Sequence, residues 1–209
     1  MEQNEFIIDG SSNAPLTLVL AHGAGAPMDS PFMATIAQAL AGEDLRVVRF
    51  EFPYMSARRV HRTRSTPDRE PVLLDAWREV IESLGGGRQL VVGGKSLGGR
   101  IASMVADEAR VRGLVCLGYP FHPPGKVPGL RLRHLKSLRT PALVVQGTRD
   151  SFGGRGEVGK YELSQQIRIA WIDDGDHSFK PRVRSGRTEQ QNLAAAIDAV
   201  RNFLNTLPR

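Results

Sequence analysis

A chain of 209 residues is expected to form one domain over 1–209, large enough to bury a core without disulfide or metal staples. Its apolar content of 41% is ordinary for a soluble protein, and no run of about 18 apolar residues offers a membrane span. The net charge of +6 draws on two arginine clusters, Arg58, Arg59, Arg62, Arg64 and Arg69 with His61, and Arg182, Arg184 and Arg187. Neither has interleaved aromatic stacking platforms, and no zinc-finger or helix-turn-helix spacing appears, so they read as solvated loops and nucleic acid is not an expected partner.

In chain order, 6–8 is a candidate edge strand and 16–20 the first fully apolar strand. Ser30-Pro31 gives an N-cap with proline at the first helical position, leading a helix to residue 40. Strand 45–50 precedes the arginine-rich stretch, which reads as loop. A helix over 71–84 carries Val72, Leu73, Trp77, Val80, Ile81 and Leu84 on one face and stops at Gly85-Gly86-Gly87. Strand 90–92 runs into a glycine-rich turn and a helical pattern, Ile101, Ala102, Met104 and Val105. Strands 113–117, 142–145 and 167–172 follow, and a last helix over 188–204 has Thr188 as its cap. Cys116 has no cysteine to pair with and reads as a small core residue in a reducing cytoplasm. With no basic-then-apolar leader, the expected location is cytoplasmic. Strands alternating with helices, each strand almost continuously apolar, predict a mostly parallel, doubly wound α/β sheet covered on both faces by helices. Ligands are then expected at the carboxyl ends of the strands. No repeat or interdomain linker interrupts the pattern.

The turn after residue 92 carries the chemistry. Gly94-Lys95-Ser96-Leu97-Gly98 is a G-x-S-x-G between a strand and a helix, a setting that pushes the serine hydroxyl out at the end of a sheet. Gly94-Lys95-Ser96 also looks like the end of a phosphate-binding loop. That motif needs a glycine five residues earlier, and the position is Gln89. Ser96 is therefore read as a nucleophile, which needs a base and a group to orient it. Of the downstream histidines, His177 sits in a loop directly after strand 167–172 and is the candidate base. His134 lies among Arg131, Arg133 and Lys136 on an apparent helix and is expected to face solvent, while His122, in a proline-rich loop, either lines the site or is structural. The candidate acid is Asp150, after strand 142–145. Asp173, Asp174 and Asp176 are rivals beside the histidine, with Asp176 expected to shape the turn. An oxyanion hole needs two backbone N–H donors, assigned to Leu97, just after the serine, and Ala24, in the small-residue loop His22-Gly23-Ala24-Gly25-Ala26. His22 is expected to pack or hydrogen-bond within that loop. Lys95 is expected to point away from substrate, in a structural ion pair or a catalytic role.

His22-Gly23, the elbow at 94–98, Gly147-Thr148-Arg149-Asp150 and Gly175-Asp176-His177-Ser178-Phe179 together resemble the α/β-hydrolase superfamily. The chain is similar in particular to its small, lidless, dienelactone-hydrolase-like branch. The resemblance implies an α/β-hydrolase fold without a cap domain, a Ser-Asp-His triad at Ser96, Asp150 and His177, and no metal or other cofactor. Dienelactone hydrolases proper use cysteine where this chain has Ser96, so their substrate is not implied. A cap would enter after residue 117, where only 118–140 precede the next strand. The reaction expected is hydrolysis of a small-molecule ester or thioester through an acyl-enzyme. Arg58, Arg59 and His122 are the candidate substrate contacts, the arginines as attractors of an anionic group or as plain solvated surface. The rival from another class is a hydrolase-fold scaffold that binds without turnover, against which stands the presence of all three side chains.

Overall fold

The computed structural model describes residues 5–62, 66–123 and 131–208. The apolar runs become strands, β1 (Ile7–Asp9), β2 (Leu16–Ala21), β3 (Leu45–Phe50), β4 (Leu90–Lys95), β5 (Gly113–Leu117), β6 (Ala142–Gly147) and β7 (Ile167–Ile172), with β2 to β6 buried almost throughout and the edge strands β1 and β7 only partly covered. They form one sheet in the order β1-β3-β2-β4-β5-β6-β7, parallel throughout except where β1 pairs antiparallel with β3. The register aligns Ala21 with Gly94, Lys95 with Leu117 and Gly147 with Ile172. The carboxyl ends of the central strands therefore finish at one level, and the loops beyond them meet.

The helices are α1 (Pro31–Leu40), α2 (Pro53–His61), α3 (Glu70–Ser83), α4 (Leu97–Val105), the single turn α5 (Arg155–Val158) and α6 (Glu189–Asn205). Strand alternation splits the core in two. Val19, Val92, Cys116 and Val144 pack on one face with Trp77 of α3 and Ile101 of α4. Leu18, Leu20, Val91, Val115 and Val145 pack on the other with Met33 and Ile36 of α1 and Val200 and Phe203 of α6. Each such side chain contributes roughly 1.5–3 kcal/mol by leaving water. The last helix is capped as expected: Thr188 Oγ1 accepts from Gln191 N at 3.1 Å while Gln191 Oε1 accepts from Thr188 N at 2.9 Å.

One local expectation holds in position only, and one needs correction. Ser30 stands at the N-cap of α1, but its side chain makes no capping bond, so the start rests on Pro31 and on the Ser30 carbonyl that accepts from Ala34 N. The arginine-rich stretch is not all loop. Residues 53–61 form α2, which starts with Pro53, docks Tyr54 and Met55 into the core, and ends at Arg62 in the left-handed region. Arg58, Arg59 and His61 fall in its last turn, where cations suit the negative end of the helix. Arg64 and Pro124 lie outside the described residues. The connection 118–141 adds no cap domain; its described part holds turns and the 3₁₀ segment His134–Lys136. No helix among the described residues is long and apolar enough to cross a membrane.

Candidate active site

β4 runs straight to Lys95, and Ser96 makes the turn into α4 with φ 49° and ψ −110°. A non-glycine residue held there costs on the order of 1–3 kcal/mol and persists because its surroundings dictate it. Ser96 N donates to the Leu117 carbonyl at 3.0 Å and Arg100 N donates to the Ser96 carbonyl at 3.0 Å. The flanking glycines are required by space. A Cβ at Gly94 would lie 2.2 Å from the Ala21 carbonyl oxygen, and one at Gly98 2.3 Å from the same atom.

Ser96 Oγ lies 2.8 Å from His177 Nε2, and His177 Nδ1 lies 2.8 Å from Asp150 Oδ2. An ionised carboxylate only accepts, so the neutral imidazole carries its proton on Nδ1 and leaves Nε2 free to accept from the serine hydroxyl. The Asp150 carboxylate is fully buried and receives two further donors, Gln146 Nε2 at 2.9 Å and Phe152 N at 2.8 Å. Gln146 is itself anchored by Tyr119 N, which donates to its Oε1 at 2.7 Å. The sequence reading did not single out Gln146. Its one signal was a polar residue closing the apolar run of a buried strand. The Phe152 ring lies against the His177 ring with centroids 4.3 Å apart.

The rival acids are engaged elsewhere. Asp176 accepts from Ser178 N at 2.8 Å and Lys180 N at 3.0 Å, shaping the turn as expected. Asp174 pairs with Arg182 and Arg149, and the Arg182 hydrogen bond holds its pKa at about 2. Asp173 is exposed, 4.0 Å from Arg187.

Leu97 is the first residue of α4, and Ala24 lies in the loop after β2. Among the described residues no protein acceptor meets either backbone N–H. That loop lies against Ser96: a Cβ at Gly23 would be 3.7 Å from Ser96 Cβ. It is held from behind. Buried His22 donates from Nδ1 to the Gly23 carbonyl at 2.7 Å and accepts at Nε2 from Phe52 N at 3.1 Å, which fixes a neutral tautomer; burial lowers its pKa. The Tyr54 hydroxyl donates toward the carbonyls of Ala24 and Gly23 at 3.3 and 3.4 Å. At the far end Glu51 accepts from Met28 N at 3.3 Å and Arg49 donates to the Met28 carbonyl at 2.9 Å.

The three candidate substrate contacts are placed differently. Buried His122 donates from Nδ1 to the Pro123 carbonyl at 2.8 Å. Its Nε2 sits 2.9 Å from Glu157 Oε1, an ion pair only when the ring is protonated. Arg59 is tied to Glu51 at 2.6 Å and Asp29 at 3.0 Å, which raise its already high pKa and offset its charge. Arg58 lies over the Tyr54 ring, 5.2 Å from its centroid. No hydrogen bond joins His122 or Arg59 to Ser96, His177 or Asp150 among the described residues. Two further expectations are corrected. Among the described residues Lys95 forms no ion pair; its Nζ donates to the His177 carbonyl at 2.6 Å. His134 does not face solvent; it is half-buried, with Nε2 2.8 Å from Ser103 Oγ, because the short 3₁₀ segment turns it onto α4. Among the described residues no group of three or more His, Cys, Asp or Glu side chains is placed to hold a metal ion.

The model of the alpha/beta hydrolase domain family matches residues 14–205. Solved structures share the fold. XC6422 from Xanthomonas campestris, described as an a/b serine hydrolase without lid, is 19% identical over 98% of this chain and 89% of that one, with a TM-score of 0.67. Dienelactone hydrolase from Anabaena variabilis is 19% identical over 98% and 92%, with a TM-score of 0.74. An alpha-beta serine hydrolase homologue from Coxiella burnetii is 22% identical over 94% and 90%, with a TM-score of 0.67.

Proposed function

The chain belongs to the α/β-hydrolase family, and from that premise we propose that it is a serine hydrolase of small-molecule esters or thioesters. The observation that carries this reading is the continuous hydrogen-bonded line Ser96–His177–Asp150, ending in a serine whose backbone is forced into an unusual turn. In this reading His177 takes the hydroxyl proton as Ser96 Oγ attacks the acyl carbonyl carbon. Asp150 keeps the imidazole in the required tautomer and stabilises the imidazolium. The oxyanion of the tetrahedral intermediate accepts from the N–H groups of Leu97 and Ala24, which meet no protein acceptor among the described residues. His177 then returns the proton to the leaving alcohol or thiol. A water molecule, activated by the same base, hydrolyses the acyl-enzyme and restores Ser96.

Covalent labelling by a fluorophosphonate probe tests the reading. The wild type is expected to label and Ser96→Ala not to label, with hydrolysis of a p-nitrophenyl ester series falling in parallel. A folded wild type that takes no label sinks the proposal in favour of a scaffold that binds without turnover. Where labelling succeeds, the chain-length dependence of the ester series sorts short acyl from long acyl preference.

A further inference from the structure

The Gly-Lys-Ser element has a component that the mechanism above leaves unused. Lys95 immediately precedes the nucleophile, yet the residue is only 9% exposed. Lysine is rarely buried without a carboxylate partner, because removing an ammonium from water is costly. Here burial pulls its pKa down to about 8, against the opposing charges of Asp150 and Asp176. The ammonium lies 5.6 Å from the centroid of the Phe32 ring of α1 and donates to the His177 carbonyl at 2.6 Å. Gly118, just past β5 with φ +68°, keeps that contact open. A Cβ there would lie 2.7 Å from the His177 carbonyl oxygen and 3.0 Å from Lys95 Nζ. A methionine of similar length would fill the same channel without the desolvation cost. What only a donor supplies is a hold on the histidine loop.

That hold matters because of what else ties the loop. Asp176 caps the loop's own backbone, Arg149 N donates to the Gly175 carbonyl, and Asn192 of α6 donates to the Asp173 and Phe179 carbonyls, so those contacts link it to itself, to the acid loop and to the last helix, and none reaches the nucleophile strand. Among the described residues, the only hydrogen bonds from 95–97 to the loop 173–180 are Lys95 to the His177 carbonyl and Ser96 to the His177 ring. The second is the bond that must break and re-form in each turnover. We propose that Lys95 is a positioning residue, which ties the His177 backbone to the nucleophile strand so that the imidazole stays in line between Ser96 and Asp150. This rests on the serine-hydrolase reading above. It assigns Lys95 no contact with substrate.

The test compares Lys95→Met, which removes the donor, with Lys95→Gln and Lys95→Arg, which keep one. Losing the tie is expected to lower both the fluorophosphonate labelling rate and kcat on p-nitrophenyl acetate in Lys95→Met, on the order of 10- to 100-fold, with KM within about twofold. Lys95→Gln and Lys95→Arg are expected to recover most of that loss. A second readout does not depend on turnover: the low-field proton NMR signal of His177 Nδ1–H against Asp150, identified by its loss in Asp150→Asn, should broaden or move upfield in Lys95→Met. Should Lys95→Met not fold, Lys95→Leu against Lys95→Gln carries the same contrast. Lys95→Met labelling at the wild-type rate, or all variants impaired equally, overturns the proposal. A wild type that takes no label sinks the hydrolase reading, and the NMR signal then decides for Lys95: a change in Lys95→Met supports the tie and an unchanged signal overturns it.

Discussion

Ser96 lies 2.8 Å from His177, and further along the same helix Ser103 lies 2.8 Å from His134. Equal distance conceals opposite chemistry. Ser103 sits in regular helix, is 2% exposed, and donates its one proton to the Arg100 carbonyl at 2.6 Å. Its oxygen can then only accept from His134 Nε2–H, so the imidazole is the donor and cannot serve as a base. Among the described residues Ser96 has no such competing carbonyl, and the carboxylate behind His177 forces the opposite tautomer. The first pair is strained, half-open to solvent and flanked by amides that meet no protein acceptor among the described residues. The second is a strut between α4 and the 3₁₀ segment. In the proposed reading, a serine–histidine contact becomes a nucleophile through its third partner and its backbone, and distance alone does not decide it.

The largest effect should come from erasing the feature that separates the pairs. Asp150→Asn, by allowing the wrong tautomer, is expected to lower kcat about 10⁴-fold with the fold intact, measured on a p-nitrophenyl ester. Ser103→Ala should leave kcat within about twofold and cost roughly 1 kcal/mol of stability in denaturant unfolding. If Ser103→Ala lost activity as Asp150→Asn does, the contrast would collapse. Gln146→Leu strips one donor from Asp150 and orphans Tyr119 N. We expect a stability loss of about 1–3 kcal/mol and a fall in kcat of roughly 10-fold, read by thermal melts and steady-state rates. Tyr54→Phe removes the hydroxyl behind the Gly23–Ala24 peptide. A few-fold drop in kcat at nearly constant KM is expected, since about 0.5–1.5 kcal/mol is at stake.

The smallest effect separates the histidines by pH. Burial first, and the charge of Arg100 second, lower the pKa of His134 below its ordinary 6.5. The unfolded chain therefore binds more protons than the folded one as the pH falls through 6.5, and the stability that neutral His134 contributes above that pH is lost on acidification. Denaturant midpoints between pH 7 and 5 should fall less steeply in His134→Gln than in the wild type. An identical slope would show that His134 does not titrate differently on folding.

Strand positions were legible because strands buried on both faces leave almost unbroken apolar runs. Observed ends differ where glycine enters: β4 continues past Val92 because Gly93 pairs opposite Val115, where a side chain would strike a carbonyl. Helix α2 was hidden because two residues, Tyr54 and Met55, carry its docking while the rest is polar. At the site, Ser96, Asp150 and His177 stood out by their place just after β4, β6 and β7, and the fold brings their side chains together. Their neighbours did not. Gln146 behind Asp150, Tyr54 behind the Ala24 loop, and the carbonyl taken by Lys95 join segments far apart in the chain, with no local pattern to announce them.

Local order along the chain thus specified which faces are buried, where the chain must turn, and which three residues reach the carboxyl edge of the sheet. Burial and turn geometry are properties of neighbours, and they leave periodic marks. Packing of the whole sheet decided the direction of each side-chain hydrogen bond: His134 onto Ser103 and away from solvent, Arg59 onto Glu51 and Asp29, Lys95 onto the His177 backbone. A polar group takes whichever donor or acceptor the approaching loops present, and that choice exists only once the loops have met.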